Sequence, residues 1–213
     1  MGSVIWIEGL IGAGKTDAAE ELAQILNFRV FKEPVEQEHL SAFYEDPYKE
    51  AFPFQIRQAI RRRKIHKLAV AEAGYGGDYK GAILDRGLPG DKVFADMHHR
   101  AGNINDRQLD TYNLLFEEVM IEVPRPSVLL FLDTDPSIAL ERVKKRGRKS
   151  EENMTINYLQ DLRKGYLDLI GEVEAKLHPW SAGITIIRKP WNVDHQDVTV
   201  LAGVLKDHLR LKN

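Results

Sequence analysis

Gly9-Leu-Ile-Gly-Ala-Gly14-Lys15-Thr16 is the stretch that decides the fold, because it fits the phosphate-loop pattern G-x-x-x-x-G-K-[ST]. The glycines allow successive backbone N–H groups to turn inward around a phosphate, and the helix that follows directs its N-terminus at the same anion. We expect Lys15 to reach the β- and γ-phosphates of a nucleotide and the Thr16 hydroxyl to bind Mg²⁺. The loop residues predicted to bind the nucleotide are Gly9, Gly12, Ala13, Gly14, Lys15 and Thr16.

The residues around this loop alternate between strand and helix patterns. An apolar run, Val4 to Ile7, precedes the loop, and a helical pattern follows it over 15–26. Further strands are predicted at 28–31, 82–84, 127–132 and 183–187. Further helices are predicted at 55–73, 91–100, 106–122, 135–145 and 155–177, with a last amphipathic helix between 198 and 209. This alternation predicts βαβ units and a parallel sheet in an α/β fold.

Length and composition restrict the class of protein. A chain of 213 residues suits one compact domain, here predicted over 1–213 with a mobile lid. The net charge of −2 gives no indication of a nucleic-acid partner, which would favour a basic protein. The absence of cysteine excludes disulfides and thiolate metal sites. No apolar run approaches the roughly 20 residues of a membrane helix, and the chain enters a strand without a leader. We therefore expect a cytoplasmic protein with no membrane partner.

Charged residues follow three of the predicted strands, where ligands bind in open α/β sheets. Glu33 precedes Pro34, which restricts it to an extended conformation, so it is a candidate general base or else a surface charge in a turn. Asp85 is a candidate Mg²⁺ ligand and Arg86 a candidate for stabilising a phosphoryl group. The alternative for these two is a buried ion pair that closes the strand. Asp135, before Pro136, is predicted to cap a helix.

Three arginines lie near the end of the predicted helix 135–145. Arg142 and Arg146 are four residues apart on one helix face, and Arg148 follows in a turn that contains glycine. On a lid over about 146–153, these side chains would supply positive charge to phosphoryl oxygens. The alternative is a solvated helix terminus.

Four motifs in this order resemble the deoxynucleoside kinases of the deoxycytidine, deoxyguanosine and deoxyadenosine kinase group. They are Gly-x4-Gly-Lys-Thr, Glu-Pro-Val, Asp-Arg-x5-Asp and Arg-x3-Arg-Gly-Arg-x-Ser-Glu-Glu, and the resemblance runs from about 3 to 165. Chain length is similar to the short bacterial members. The resemblance implies a P-loop three-layer α/β/α fold with a five-stranded parallel sheet, an arginine-bearing lid and a homodimer.

The resemblance also implies roles for individual residues. Glu33 corresponds to the catalytic base and Arg86 to the arginine that orients it. Tyr44 corresponds to the tyrosine that binds the sugar 3′-hydroxyl, and Glu152 to its carboxylate partner. The residues implied to contact the base are Gln55, Arg62 and Asp91. The catalytic set is then Glu33, Arg86, Lys15, Arg146 and Arg148, with Arg142 and Arg146 on the nucleotide.

The sequence departs from the family pattern at several positions. Gly87 stands where serine is usual, which would loosen that turn. Ala95 stands where an aromatic residue often stacks on the base, and the neighbouring Phe94 is rotated from it by about 100° on a helix. The lid has one more residue between Arg148 and the glutamate pair than in some members. These departures bear on the choice of substrate.

Three functions are compatible with these residues. The favoured one is transfer of the γ-phosphate of ATP, with Mg²⁺, to the 5′-hydroxyl of deoxyadenosine, deoxyguanosine or deoxycytidine rather than thymidine, in nucleotide salvage. The Arg62–Asp91 pair would tolerate an exocyclic amine and crowd a thymine methyl. The alternatives are a nucleoside monophosphate kinase similar to thymidylate kinase, and a nucleotide-binding switch without catalysis.

Overall fold

A computed structural model describes residues 2–33, 36–74, 78–193 and 198–211. Five strands and eight α-helices follow one another in the described ranges. The strands are β1 (Ser3–Gly9), β2 (Phe28–Phe31), β3 (Gly81–Asp85), β4 (Val128–Asp133) and β5 (Thr185–Pro190). The helices are α1 (Lys15–Leu26), α2 (Gln37–Glu45), α3 (Pro47–Gly74), α4 (Leu88–Arg100), α5 (Asp106–Glu122), α6 (Pro136–Arg146), α7 (Ile156–Glu174) and α8 (Val198–Leu209).

The strands form one parallel sheet in the order β2-β3-β1-β4-β5. Ile5 of β1 is level with Ile83 of β3 on one side and with Val128 of β4 on the other. The three central strands are almost entirely buried, as expected of a parallel sheet that is covered on both faces. All carboxyl ends lie at one edge, so the segments after β1, β2 and β3 meet there.

Helices cover both faces of the sheet and enclose two hydrophobic cores. On one face, Trp6, Leu84 and Phe131 pack with side chains of α3, α4, α5 and α7. On the other face, Ile5, Ile7 and further strand residues pack with α1 and α8. The fold is therefore the three-layer α/β/α arrangement that was predicted.

The observed elements differ from the predicted ones mainly between β2 and β3. Helix α2 was not predicted, and α3 begins at Pro47 and continues through Pro53 rather than starting at Gln55. The last strand runs to Pro190, three residues beyond the predicted end. Asp135 caps α6 as predicted, accepting a hydrogen bond from the backbone N–H of Ser137 at 2.8 Å. Among the described residues, no helix combines the length and hydropathy that crossing a bilayer would require.

Candidate active site

The phosphate loop connects β1 to α1 at the centre of the sheet edge. Gly12 has a φ of 82°, and a Cβ there would lie 2.4 Å from the backbone oxygen of Ala139, so only glycine fits. Lys15 is buried, and its Nζ donates to the carbonyl oxygen of Leu10 at 2.8 Å. The lysine therefore bends back over the loop that is predicted to hold phosphates.

A cavity of about 360 Å³ lies against the outer side of this loop. Its lining includes Gly12, Ala13, Gly14, Arg142 and Arg146 from the predicted nucleotide-binding set, together with Trp191 after β5. Arg142 also donates to the backbone oxygen of Trp191 at 3.2 Å. Gly9, the remaining glycine of the motif, lies at the end of β1 outside this lining, and a Cβ there would lie 2.8 Å from the Leu132 oxygen.

A second cavity, of about 130 Å³, lies on the inner side of the loop and shares Gly12 and Arg146 with the first. Nearly every predicted catalytic, metal-binding and substrate-binding residue lines it. They are Lys15, Thr16, Glu33, Tyr44, Gln55, Arg62, Asp85, Arg86, Asp91, Arg146 and Arg148. We call this cavity the cleft. The fold thus brings side chains from six segments, spread over more than 130 residues, to one place.

Glu33 lies in the cleft between two arginines. Its Oε1 accepts a hydrogen bond from Arg62 Nη2 at 2.5 Å, and its Oε2 accepts one from Arg86 Nε at 3.2 Å. Burial alone would raise the pKa of this carboxyl, but the charges of Arg62, Arg86 and Lys15 together lower its pKa to about 2. Glu33 is therefore ionised and has a fixed direction. Pro34 and Val35, the rest of its motif, lie outside the described residues.

Arg62 also joins Glu33 to Asp91. Its Nε donates to Asp91 Oδ1 at 2.6 Å, and both side chains are buried. Burial, and the repulsion of Glu33 and Glu8, raise the pKa of Asp91 to about 7 even though Arg62 opposes this shift. One guanidinium is thus shared between two carboxylates, and Asp91 is the one of the two that holds a proton more readily.

Arg86 is held by a residue that the sequence analysis did not single out. Its Nη1 donates to the Tyr166 hydroxyl at 2.5 Å, and that hydroxyl donates to Glu8 Oε2 at 3.0 Å. Arg86 has a φ of 71°, a left-handed conformation that is rare outside glycine, so this network supports a strained residue. The available signal was a carboxylate, Glu8, inside an otherwise apolar strand directly before the phosphate loop.

Gly87 is tightly packed, contrary to the expectation that glycine loosens this turn. Its N–H donates to Glu8 Oε1 at 2.8 Å, and a Cβ there would lie 2.6 Å from the Trp6 ring. Glycine is therefore the residue that fits against Trp6. Phe94 lines the cleft despite its rotation on the helix, and Arg86 lies over its ring at 5.1 Å, while Ala95 is buried in the core.

Thr16 and Asp85, the two predicted metal ligands, lie side by side. The Thr16 hydroxyl donates to Asp85 Oδ2 at 2.5 Å. The other carboxylate oxygen, Oδ1, is buried and has no hydrogen-bond partner within the described ranges. An uncompensated buried oxygen beside a hydroxyl matches the preference of Mg²⁺ for oxygen ligands.

The predicted lid begins where α6 ends at Arg146, and Gly147 follows with a φ of 67°. Glu151, in a short 3₁₀ turn, is buried and accepts from Arg146 Nη2 at 2.6 Å, with Arg148 at 3.6 Å. Burial and then the charge of Glu151 raise the pKa of Tyr44, which therefore keeps its hydroxyl proton. Glu152 is exposed, and the fold does not bring it into the cleft. The lid has one residue more between Arg148 and the glutamate pair than in some members of the family. A count from Arg148 at the shorter spacing therefore ends on Glu151 instead of Glu152.

The sequence profile described as Deoxynucleoside kinase matches residues 5–199. This chain belongs to the deoxynucleoside kinase family. A deoxyadenosine kinase from Dictyostelium discoideum is 32% identical over 215 residues, which cover 100% of this chain and 82% of the relative. A deoxyadenosine/deoxycytidine kinase from Bacillus subtilis (strain 168) is 31% identical over 177 residues, covering 81% of this chain and 79% of the relative.

Solved structures agree with this membership. A deoxyadenosine kinase from M. mycoides with bound dATP superposes with a TM-score of 0.73 and 26% identity, covering 98% of this chain and 99% of the other. The structure of deoxyadenosine kinase from M. mycoides with bound dCTP has a TM-score of 0.78 at 24% identity, covering 97% and 98%, and supports the fold. Like its family, this deoxynucleoside kinase is an ATP-dependent phosphotransferase. The matches favour neither the monophosphate kinase nor the switch.

Proposed function

We propose that this deoxynucleoside kinase phosphorylates the 5′-hydroxyl of deoxyadenosine, deoxyguanosine or deoxycytidine in preference to thymidine. The observation that carries the proposal is the position of Glu33. Its ionised carboxylate lines the same cleft as Lys15 of the phosphate loop, Arg146 at the end of α6 and Arg148 just beyond it. A nucleoside between them would have its 5′-hydroxyl near the carboxylate and near the phosphate that it attacks.

In the proposed reaction Glu33 accepts the proton of the 5′-hydroxyl. Arg86 orients the carboxylate of Glu33. The positive charges of Lys15, Arg146 and Arg148 balance the negative charge on the transferred phosphoryl group. Phosphoryl transfer is catalysed mainly by positioning and electrostatics, so a set of fixed cations around one carboxylate suits it. We propose residues 146–153 as the lid, which closes over the nucleotide. Arg146 of this lid and Arg142, on α6 just before it, would contact the nucleotide.

The sugar and the base occupy the rest of the cleft in this proposal. Tyr44 binds the 3′-hydroxyl, and Glu151 takes the role that the sequence had assigned to Glu152, because Glu151 is the buried carboxylate of the pair. Gln55 and the Arg62–Asp91 pair contact the base. An amide and an Arg–carboxylate pair are suited to bases that carry an exocyclic amine, whereas a thymine methyl would meet buried polar groups.

Mg²⁺ is proposed to bind at Thr16 and Asp85 together with the nucleotide phosphates. When bound, the ion supplies charge neutralisation to the phosphate oxygens. Within the described residues no cluster of three or more histidine, aspartate or glutamate side chains forms a complete protein cage for a metal. Two protein oxygens beside the phosphates match the way in which Mg²⁺ is usually held, with waters and phosphates completing the shell.

The test is ADP release with Mg²⁺ and ATP, measured in parallel with the four deoxynucleosides and with deoxyadenosine 5′-monophosphate. Release is expected with one or more of deoxyadenosine, deoxyguanosine and deoxycytidine, and much less with thymidine. Release only with the monophosphate, or equal release with and without any acceptor, would contradict the proposal. Action in cytoplasmic nucleotide salvage stays a prediction.

We also propose a homodimer formed through α3 and α5. Arg63 Nε and Lys67 Nζ donate to Glu122 at 2.6 and 2.9 Å and hold these helices side by side. Large apolar side chains are exposed on both helices, namely Ile60, Leu68, Leu114 and Ile121. A second copy would bury them.

The test is sedimentation of two variants. Ile121→Glu should give a monomer, whereas Val200→Glu, which changes an exposed residue on α8, should leave the dimer intact. A monomeric wild type would contradict the dimer.

A further inference from the structure

Glu8 is a buried carboxylate that takes no part in the proposed reaction. It is 0% exposed in β1, directly before the phosphate loop. Its Oε1 accepts a hydrogen bond from the N–H of Gly87 at 2.8 Å, and its Oε2 accepts one from the Tyr166 hydroxyl at 3.0 Å. A Cβ on Gly90 would lie 2.5 Å from Oε2, so the glycine leaves room for the carboxylate. Two hydrogen bonds and this space hold Glu8 in one position.

Arg86 lies beside Glu8, but the two side chains do not form a close ion pair. Arg86 Nη1 is 4.0 Å from Glu8 Oε2, whereas a close guanidinium–carboxylate contact is about 2.7–2.9 Å long. Burial raises the pKa of Glu8, while the charge of Arg86 and the two accepted hydrogen bonds lower it and favour the ionised form. An ionised Glu8 attracts Arg86 strongly, because charges interact more strongly in the protein interior than in water.

The Tyr166 hydroxyl bridges these two charges. It accepts a hydrogen bond from Arg86 Nη1 at 2.5 Å while it donates to Glu8 Oε2. The tyrosine ring is fully buried on α7 and lies against Phe131 of β4, with 5.6 Å between the ring centroids. The packing of α7 on the sheet therefore fixes the position of the hydroxyl.

Arg86 is attracted by a second carboxylate on the side of the cleft. Its Nε donates to Glu33 Oε2 at 3.2 Å, which is at the long end of the usual range for such a bond. A direct pair between Arg86 and Glu8 would require a shift of roughly 1 Å away from Glu33. A misplacement of about 1 Å in an active site can lower a rate by about 10²-fold.

Resting on the reaction proposed above, we infer that Tyr166 is a positioning residue whose hydroxyl keeps Arg86 from pairing directly with Glu8. Arg86 then stays on Glu33 and orients the carboxylate that accepts the proton. Tyr166 does not line the cleft, so it acts through Arg86 and not on the substrate.

The first test is Tyr166→Phe, which removes the hydroxyl and keeps the ring on Phe131. Its kcat with the best deoxynucleoside should fall by about 10- to 100-fold, because Arg86 moves toward Glu8. KM for ATP should change by less than about threefold, since the phosphate loop is unaltered. The matched control is Tyr112→Phe, because Tyr112 is also fully buried and its hydroxyl has no hydrogen-bond partner among the described residues. This control should change kcat by less than about threefold.

The second test adds Glu8→Gln to Tyr166→Phe. The amide keeps the shape of the carboxylate but no longer attracts Arg86, so kcat should recover by about threefold or more over Tyr166→Phe. A purely structural role for the two residues would instead make the second substitution reduce kcat further. Thermal unfolding and ATP binding, measured for each variant, check that the fold is kept.

Unchanged kcat in Tyr166→Phe, an equal loss in Tyr112→Phe, or a further loss in the double variant would overturn the inference and leave the proposed function standing. A wild type that is inactive with every deoxynucleoside would instead contradict the proposed function.

Discussion

Arg62 Nη2 lies 2.5 Å from Glu33 Oε1, so a buried guanidinium holds this carboxylate ionised inside the cleft. The same guanidinium reaches Asp91, which ties the proposed proton acceptor to the proposed base-binding residues. A change at the base-contacting end of the cleft can therefore move the reacting end. This coupling is the physical reason to test the two ends with separate substitutions.

Replacing Glu33 by glutamine should lower kcat by about 10²- to 10⁴-fold, because the amide keeps the shape but cannot accept the proton. Binding of ATP, measured by titration calorimetry, should stay close to that of the wild type. The matched control is Glu36→Gln, since Glu36 is half-exposed and pairs with Arg57 and Arg61 outside the cleft. Normal turnover in Glu33→Gln would remove this residue from the role of base.

The two glutamates of the lid provide a direct comparison. Glu151→Gln should raise KM for the deoxynucleoside by about ten-fold, because a charged partner of the sugar hydroxyl is lost. Glu152→Gln should change it by less than about threefold, as is usual for an exposed side chain. The preference for a 3′-hydroxyl over a 3′-deoxy analogue should also weaken only in the first variant. The reverse result would restore the original assignment of Glu152.

Asp85→Asn should raise the free Mg²⁺ concentration needed for half-maximal rate by about 10- to 100-fold, since the substitution removes a charged oxygen beside Thr16. The rate at saturating Mg²⁺ should recover more than the rate at low Mg²⁺. Asp135→Asn is the control, because Asp135 caps α6 away from this pair. An unchanged Mg²⁺ dependence in Asp85→Asn would contradict the proposed ligand.

His66 should make stability depend on pH. Its ring is fully buried against Trp6, and burial lowers its pKa to about 4 from an ordinary value of 6.5. Between pH 6.5 and 4 the imidazole of His66 is protonated in the unfolded chain but neutral in the folded chain. The contribution of His66 to the free energy of unfolding is therefore complete above pH 6.5 and is lost as the pH falls toward 4. The loss should be about 3 kcal/mol between pH 7 and 4.

The measurement is urea unfolding of the wild type and of His66→Leu over that range. Other groups titrate in both proteins. The quantity of interest is therefore the difference between the wild type and the variant in the slope of unfolding free energy against pH. The leucine variant should lose less stability on acidification. Parallel curves for the two proteins would show that His66 carries no linked proton.

Much of the fold could be predicted because its signals are local. Glycines at fixed spacing, an apolar run before them and a helical period after them are readable from the neighbouring residues alone. The region between β2 and β3 was harder. The sequence placed the start of this helix at Gln55, but α3 begins at Pro47. Its apolar Ile60 and Leu68 are half-exposed, while polar side chains face inward, namely Gln55, Gln58, Arg62 and His66. Hydrophobicity is misleading where a buried helix face lines a polar cleft.

By itself, the sequence determined the phosphate loop and the parallel α/β order, because each follows from a motif or a period along the chain. Most of the residues that line the cleft were named from motifs or from the resemblance to a known family that those motifs carry. Only the tertiary structure decided that Glu151 rather than Glu152 enters the cleft, that Phe94 reaches it, and that Glu8 and Tyr166 support Arg86. These depend on how distant segments pack against one another. Packing is a property of three-dimensional neighbours, and spacing along the chain does not specify it.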